Sequence, residues 1–140
     1  MNAKVIDQLL GGEGGFQGVF SADTLPINPH LLVCNTDPST KTGDHWIAIH
    51  VDENGRGEYF DSFGRAPNEH FTRYMNTYCV RWTFNDKQLQ SVVSAFCGFY
   101  VVVYCKFKSK GLDMSKITSM FTNDTGFNDM LVHRLICNKS

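Results

Sequence analysis

The chain has 140 residues, with 13 lysines and arginines against 14 aspartates and glutamates, so its formal net charge is −1. This length fits one domain over residues 1–140. The near-neutral charge excludes a polycation that coats nucleic acid and an acidic disordered tail. Hydrophobic residues make up 42% of the chain, enough for a core. No apolar run reaches the roughly 18 residues of a membrane span, and residues 1–12 lack the pattern of a secretory signal.

The elements predicted for the first part of the chain are helices and short strands. Residues 3–10 suit a short helix that ends at a glycine-rich loop. A second helix is predicted over residues 67–77, where apolar residues recur at spacings of three and four. Turn-forming residues 52–56 separate two apolar runs and predict a β-hairpin. Strands are predicted over residues 31–34, 46–51, 57–60 and 79–84.

The apolar run over residues 92–107 is ambiguous. Residues 99–104 are β-branched and aromatic, which favours a strand. The whole run is long for a strand, however, and lysines cluster at its end before Gly111, as at a helix C-terminus. We therefore interpret it as a buried helix from about Ala95. With further helices predicted over 112–121 and 127–137, the fold class is α+β, a small and mostly antiparallel sheet with helices packed on it.

The cysteines predict neither a disulfide framework nor a zinc site. Their number is odd, their spacing is wide and irregular, and no Cys-x-x-Cys pair occurs among Cys34, Cys79, Cys97, Cys105 and Cys137. The simplest interpretation is a set of buried thiols in the reducing cytosol or nucleus. That interpretation leaves room for one reactive thiol, and no metal site is predicted.

Four residue types needed for thiol catalysis occur along the chain. A cysteine nucleophile needs a base, a group that orients the base, and donors for the oxyanion. His45 begins a predicted strand and Asp61 ends the next one. Cys97 lies near the start of the predicted buried helix, where free amides stabilise a thiolate. Gln90, seven residues earlier, can donate to an oxyanion, and Gly98 would allow a substrate backbone to approach closely.

Each of these residues also has an ordinary structural interpretation. A histidine at a strand start is usually structural or exposed, Asp61 could cap a turn, and Gln90 could be a surface residue. His50 lies five positions from His45, and an extended strand points two residues at this odd spacing to opposite faces. Only one of the two histidines can therefore serve the site, and His50 is an internal control for His45.

The hairpin register decides whether the histidine and the acid meet. In a strict two-residue turn, the residue numbers of each cross-strand pair would add up to an odd number. Asp61 would then pair with Ala48 and point away from His45. A looser turn with an even sum would place the acid and the histidine on one face. If Asp61 is out of reach, Asp44 is the alternative acid. Upstream of the nucleophile, Ser91 or Ser94 can cap the predicted helix.

Taken together, these motifs resemble one family. The pair His45-Trp46, the stretch Glu-Tyr-Phe-Asp-Ser-Phe-Gly over residues 58–64 and the pattern Gln-Ser-x-x-Ser-x-x-Cys-Gly over residues 90–98 are similar to motifs of the adenovirus-type cysteine proteases (adenains). That group includes relatives encoded by Polinton/Maverick elements and related double-stranded DNA viruses. The resemblance runs from about residue 3 to 107.

The resemblance implies a papain-like site in a different chain order. His45 would be the general base, Asp61 its orienting carboxylate, Cys97 the nucleophile and Gln90 a donor in the oxyanion hole. Adenoviral members usually carry glutamate at the position of Asp61. Trp46 would lie beside the imidazole and favour its protonated form by cation–π attraction, or it would simply be a core aromatic.

The resemblance also implies substrates, activators and a location. The enzyme would be a monomeric endopeptidase that cleaves polyprotein or capsid precursors at glycine-containing sites, without a cofactor for its chemistry and without a membrane. Adenoviral members are assisted by DNA and by a short viral peptide, and Cys79 resembles the cysteine that binds this peptide through a disulfide. The location would be the host nucleus or cytoplasm, with packaging in virions.

Two other functions remain open at this point. Proteases of SUMO and other ubiquitin-like modifiers share the same residue types, but they typically place glutamine six residues before the cysteine and aspartate directly before it. Here the separation is seven and Phe96 precedes Cys97. A non-catalytic remnant that acts as a binding protein is the other alternative, and the presence of all four catalytic residue types argues against it.

Overall fold

Five helices and a five-stranded sheet make up residues 1–36 and 45–137, the part of the chain that this computed structural model describes. The strands lie in the sheet in chain order. The elements are α1 (Ala3–Leu10), β1 (Phe16–Phe20), β2 (Leu31–Asn35), β3 (Trp46–Val51), β4 (Arg56–Phe60), α2 (Glu69–Tyr78), β5 (Arg81–Phe84), α3 (Cys97–Ser109), α4 (Met114–Thr118) and α5 (Thr125–Cys137).

The predicted α+β class is confirmed, but the sheet is mixed and not mostly antiparallel. β3 pairs antiparallel with both β2 and β4. The two edge strands, β1 and β5, each pair in parallel with their neighbours. β5 runs parallel because α2 carries the chain back across the sheet after β4, which is the usual connection of parallel strands. β1 was not predicted at all, and its register shifts between Phe16 and Val19, where Gly18 has a φ of +132°.

Both faces of the sheet are covered, which explains why apolar residues follow one another in β2 and in the first part of β3. On one face, Leu31 and Val33 of β2 pack into a core with α1, α3, α4 and α5. On the other face, Leu32 and Cys34 of the same strand pack with α2.

The buried helix is confirmed as α3, which begins at Cys97, two residues after the predicted start. All its residues from Tyr100 to Cys105 are at most 2% exposed. A helix surrounded by protein on all sides needs no polar stripe, so its composition looked strand-like. α2 begins later than predicted, at Glu69, because the Asn68 side chain accepts a hydrogen bond from the N–H of Phe71 and so caps the helix there.

Glu58 of β4 ties the sheet to the helical layer. Its Oε1 accepts hydrogen bonds from the Tyr104 hydroxyl at 2.6 Å and is 3.1 Å from Lys108 Nζ. Its Oε2 accepts from the N–H of Met114 at 3.0 Å, at the start of α4. The side chains of Glu58 and Lys108 are only 16% and 11% exposed, so both charges depend on this pairing.

Glu58→Ala should lower the free energy of unfolding by about 3 kcal/mol, because it leaves a buried hydroxyl and a mostly buried ammonium without their acceptor. Urea denaturation measures this loss. Glu69→Ala is the matched control, since its ion pair with Arg73 is almost fully exposed and should contribute at most about 0.5 kcal/mol. Equal losses in the two variants would contradict the proposed role of Glu58.

Candidate active site

The hairpin brings His45 and Asp61 together. Asp52 pairs with Arg56 across a three-residue loop in which Gly55 has a φ of +78°, the typical geometry of such loops. Ala48 therefore pairs with Phe60, so the residue numbers of paired positions add up to an even number. In this register the acid and the histidine share one face. His45 Nε2 and Asp61 Oδ1 form a hydrogen bond of 2.7 Å. The alternative acid at position 44 lies outside the described residues.

The Asp61 carboxylate is held from a second side. It is 4% exposed, and its Oδ1 also accepts the N–H of Phe63 at 2.8 Å. The Phe63 ring also packs against the imidazole, tilted by 30° with ring centroids 4.8 Å apart. The Arg65 guanidinium lies over this Phe63 ring, 4.6 Å from its centroid.

Trp46 does not take the predicted place on the imidazole within the described residues, where the ring partner of His45 is Phe63. Its indole instead packs against the core and donates to the carbonyl of Met1 at 3.1 Å. The core interpretation of Trp46 therefore fits its position. His50, the internal control, lies away from this site beside His30, with ring centroids 5.5 Å apart.

Cys97 is the first residue of α3 and is 7% exposed. Phe96 is the N-cap, and no side chain caps the helix among the described residues, so the predicted capping by Ser91 or Ser94 is wrong. Ser94 Oγ instead donates to the carbonyl of Ser91. The uncapped N–H groups of the first turn remain free to stabilise negative charge beside the sulfur.

The environment favours a charged thiolate–imidazolium pair. Burial raises the pKa of the Cys97 thiol, but its interaction with His45 and hydrogen bonds from the backbone N–H groups of Trp46 and Gly98 outweigh burial, so the pKa falls below its ordinary value. Burial lowers the pKa of the His45 imidazole, but Asp61 and Cys97 raise it, with a net pKa of about 9.

The other ring nitrogen of His45 is the one left for chemistry. Nδ1 is buried and has no partner of regular hydrogen-bond geometry among the described residues, while Nε2 is occupied by Asp61. A buried nitrogen without a partner is costly in a folded protein. It is therefore positioned to exchange a proton with the neighbouring thiol and with a bound substrate.

Gln90 is buried with both ends of its side chain engaged. Its Oε1 accepts the Ser62 hydroxyl at 2.5 Å, and its Nε2 donates to the carbonyl and hydroxyl oxygens of Ser94 at 3.0 and 3.1 Å. A bond from Nε2 to an oxyanion would replace one of the two bonds to Ser94. The side chain is thus placed by Ser62, a residue within the recognised Asp-Ser-Phe-Gly stretch to which the sequence interpretation gave no role.

Gly98 and Cys79 are also residues that the sequence singled out, and both contact other parts of the chain. A Cβ built on Gly98 would lie 2.8 Å from Cβ of Met1, so the close approach at this glycine is made by the Met1 side chain. Cys79 is half-buried at the end of α2 and packs with the core on the α2 face of the sheet. Burial raises the pKa of its thiol. Its predicted disulfide with an activating peptide stays a prediction.

The described residues hold no cluster of three or more histidine, cysteine, aspartate or glutamate side chains that could bind a metal ion. None of the helices within them is long and apolar enough to cross a membrane.

Comparisons with known proteins point to cysteine proteases. No protein-family model matches the chain. A SUMO-1 cysteine protease of African swine fever virus is 49% identical over 53 residues, which are 36% of this chain and 19% of the viral protein. A crystal structure of the protease from the same virus superposes with a TM-score of 0.55 and 27% identity, covering 74% of this chain and 43% of the viral one.

A third likeness concerns the fold alone. The central domain of an uncharacterized Legionella pneumophila protein superposes with a TM-score of 0.58 at 13% identity, over 99% of this chain and 98% of that domain. The chain thus has the fold of a viral cysteine protease and is homologous to that protein over part of its length. It spans less than half of the viral protein, and no comparison supports DNA or an activating peptide as a partner.

Proposed function

We propose that the chain is a cysteine endopeptidase in which Cys97 is the nucleophile, His45 the base and Asp61 the group that orients the base. One observation carries this proposal: the hydrogen bond of 2.7 Å between His45 and Asp61, beside a thiol at a helix start whose pKa is lowered. The homology to a viral cysteine protease supports the same chemistry.

The proposed reaction uses each group in turn. The Cys97 thiolate attacks the substrate carbonyl carbon, and the N–H of Cys97 and Nε2 of Gln90 donate to the developing oxyanion. The His45 imidazolium then protonates the departing amine, which leaves a thioester on Cys97. Neutral His45 next takes a proton from water, which hydrolyses the thioester. Asp61 keeps the imidazole oriented and stabilises its positive charge throughout.

We propose substrates with glycine near the scissile bond, in precursor proteins of a double-stranded DNA virus or a Polinton-type element. The resemblance of residues 45–46, 58–64 and 90–98 to the adenains supports this substrate class. The action would take place in the host nucleus or cytoplasm, or within virions. A second candidate, removal of SUMO-like modifiers, is favoured by the name of the viral relative, a SUMO-1 cysteine protease.

A peptide-cleavage assay separates these substrates. The purified chain is given extended fluorogenic peptides with glycine at both positions before the bond, matched peptides with bulky residues there, and a folded SUMO–reporter fusion. We expect cleavage of the glycine peptides, and none by the Cys97→Ala variant. Cleavage of bulky peptides alone would overturn the glycine preference, and cleavage of the fusion alone would favour the modifier protease.

The pH dependence of kcat/KM should be bell-shaped, with its alkaline limb near pH 9. Activity rises as Cys97 ionises, below the ordinary range of a thiol, and falls as His45 loses its proton near pH 9. Because Asp61 helps to raise the pKa of His45, Asp61→Asn should move the alkaline limb to lower pH. Initial rates from pH 5 to 10 at constant ionic strength measure both limbs. A wild-type alkaline limb near the ordinary histidine pKa of about 6.5 would contradict the pairing.

A further inference from the structure

We propose that Asn85 is a positioning residue for the candidate active site: its side-chain amide clamps the backbone of Asp61 and so fixes the carboxylate that orients His45. The inference rests on the proposed function, because it gives Asn85 its role through the His45–Asp61 pair. Asn85 lies outside every motif that the sequence resemblance uses.

The clamp is a side-chain continuation of the β-sheet. β4 and β5 are parallel, and their pairing ends at Tyr59 and Phe84. Just beyond, the Asn85 side chain reaches across to Asp61. Its Oδ1 accepts the N–H of Asp61 at 2.9 Å, and its Nδ2 donates to the carbonyl of Asp61 at 2.6 Å. An asparagine amide carries both a donor and an acceptor, so it replaces a peptide unit of the neighbouring strand.

Burial makes this clamp hard to replace with water. Asn85 is 6% exposed and Asp61 is 4% exposed. With both backbone groups of Asp61 held, the carboxylate is left with side-chain rotation alone, and the N–H of Phe63 restricts that rotation by donating to Oδ1 at 2.8 Å. A displacement of about 1 Å at a catalytic group can cost on the order of 100-fold in rate. The clamp therefore bears directly on the His45–Asp61 bond.

The turn that follows Asp61 is held by hydrogen bonds of its own, so removing the Asn85 side chain should leave this turn in place. The carbonyl of Ser62 accepts the N–H groups of Leu89 at 2.9 Å and Gln90 at 3.0 Å. Gly64, with a φ of +73°, packs closely on the backbone of Lys87. We expect the Asn85→Ala protein to fold, with Asp61 less firmly placed.

The matched control uses another asparagine near the same strand. Asn76 accepts the indole N–H of Trp82 through its Oδ1 at 2.8 Å, in an exposed position. Asn76→Ala makes the same amino-acid change and removes one exposed hydrogen bond, without touching Asp61. Asn85→Asp is the conservative variant, because it keeps an acceptor for the N–H of Asp61 but has no donor for its carbonyl when ionised.

A double-mutant cycle with Asp61→Asn tests the inference. The readouts are kcat and KM for a glycine peptide, and the pH dependence of Cys97 alkylation by iodoacetamide, which requires no substrate. Asn85→Ala should lower kcat by about 10- to 100-fold with KM within about twofold, and should move the alkylation profile towards that of Asp61→Asn. In the Asp61→Asn background, Asn85→Ala should lower kcat by less than about threefold, because the carboxylate through which Asn85 acts is already absent.

Each alternative result overturns the inference in a recognisable way. Wild-type kcat and alkylation in Asn85→Ala, with a clear effect of Asp61→Asn, would show that the clamp has no role although the proposed function stands. An equal loss in both backgrounds, accompanied by a lower fraction of folded protein, would show a structural role alone. No effect of Cys97→Ala or Asp61→Asn on cleavage would remove the proposed function and the clamp with it.

Discussion

Replacing Cys97 with alanine should abolish peptide cleavage, and replacing His45 with alanine should do nearly the same. Without the thiol no thioester can form, and without the imidazole the thiol loses the partner that lowers its pKa. In enzymes with this chemistry, either loss costs several orders of magnitude in turnover. Turnover of a glycine peptide, normalised to folded protein, measures the effect.

Controls for these two variants exist within the chain. Cys137→Ala removes an exposed thiol, and His50→Ala removes a histidine of β3 that lies away from the site, beside His30. Both should retain nearly wild-type cleavage, because neither side chain belongs to the reacting groups. Wild-type-like turnover in Cys97→Ala or His45→Ala, with thermal unfolding unchanged, would defeat the assignment.

Gln90→Ala should lower turnover by about 100- to 1,000-fold, with little change in KM, as for the loss of one oxyanion donor. The substrate carbonyl oxygen is nearly neutral when bound and becomes anionic as Cys97 attacks. A donor aimed at that later position stabilises the transition state more than the bound substrate. Single-turnover kinetics with a glycine peptide measure this loss at the acylation step.

Gln90 also has a structural role, which the measurement must separate. Its side chain bonds to Ser62 and Ser94 in the interior, so Gln90→Ala should also lower the free energy of unfolding, by about 1–3 kcal/mol. Normal alkylation of Cys97 with collapsed turnover would support the oxyanion role. Reduced stability with wild-type turnover per folded molecule would leave the structural role alone. Gln88→Ala, at an exposed neighbour that bonds to the Gln90 carbonyl, is the control.

Sequence patterns predicted α3 and the β3–β4 hairpin, which carry the site, better than the edge strands β1 and β5. α3 was recognisable because the length of its apolar run and the lysines at its end outweighed its strand-like residues. β1 was missed because glycine and glutamine interrupt its apolar residues. The parallel pairing of β5 was missed because it follows from the path of α2 over the sheet, which local patterns do not encode.

Within the site, the sequence indicated the residue types but not the contacts between their side chains. The contact between His45 and Asp61 depended on the parity of the hairpin register, which the three-residue loop before Arg56 decides. Phe63, and not Trp46, packs its ring against the imidazole, because the tight turn after Asp61 brings Phe63 back to the site. The clamp from Asn85 joins residues 24 positions apart, and no spacing rule predicts such a contact.

The pH profile of Cys97 alkylation tests the central claim most directly. Burial raises the pKa of the Cys34, Cys79 and Cys105 thiols, whereas that of Cys97 is lowered. Iodoacetamide labelling from pH 5 to 10, read by mass spectrometry at each cysteine, should show Cys97 reacting fastest, with half-maximal rate below the ordinary thiol pKa of about 8.5. In His45→Ala this profile should move to higher pH. A Cys97 that labels no faster than Cys137, or whose profile is unchanged in His45→Ala, would contradict the account.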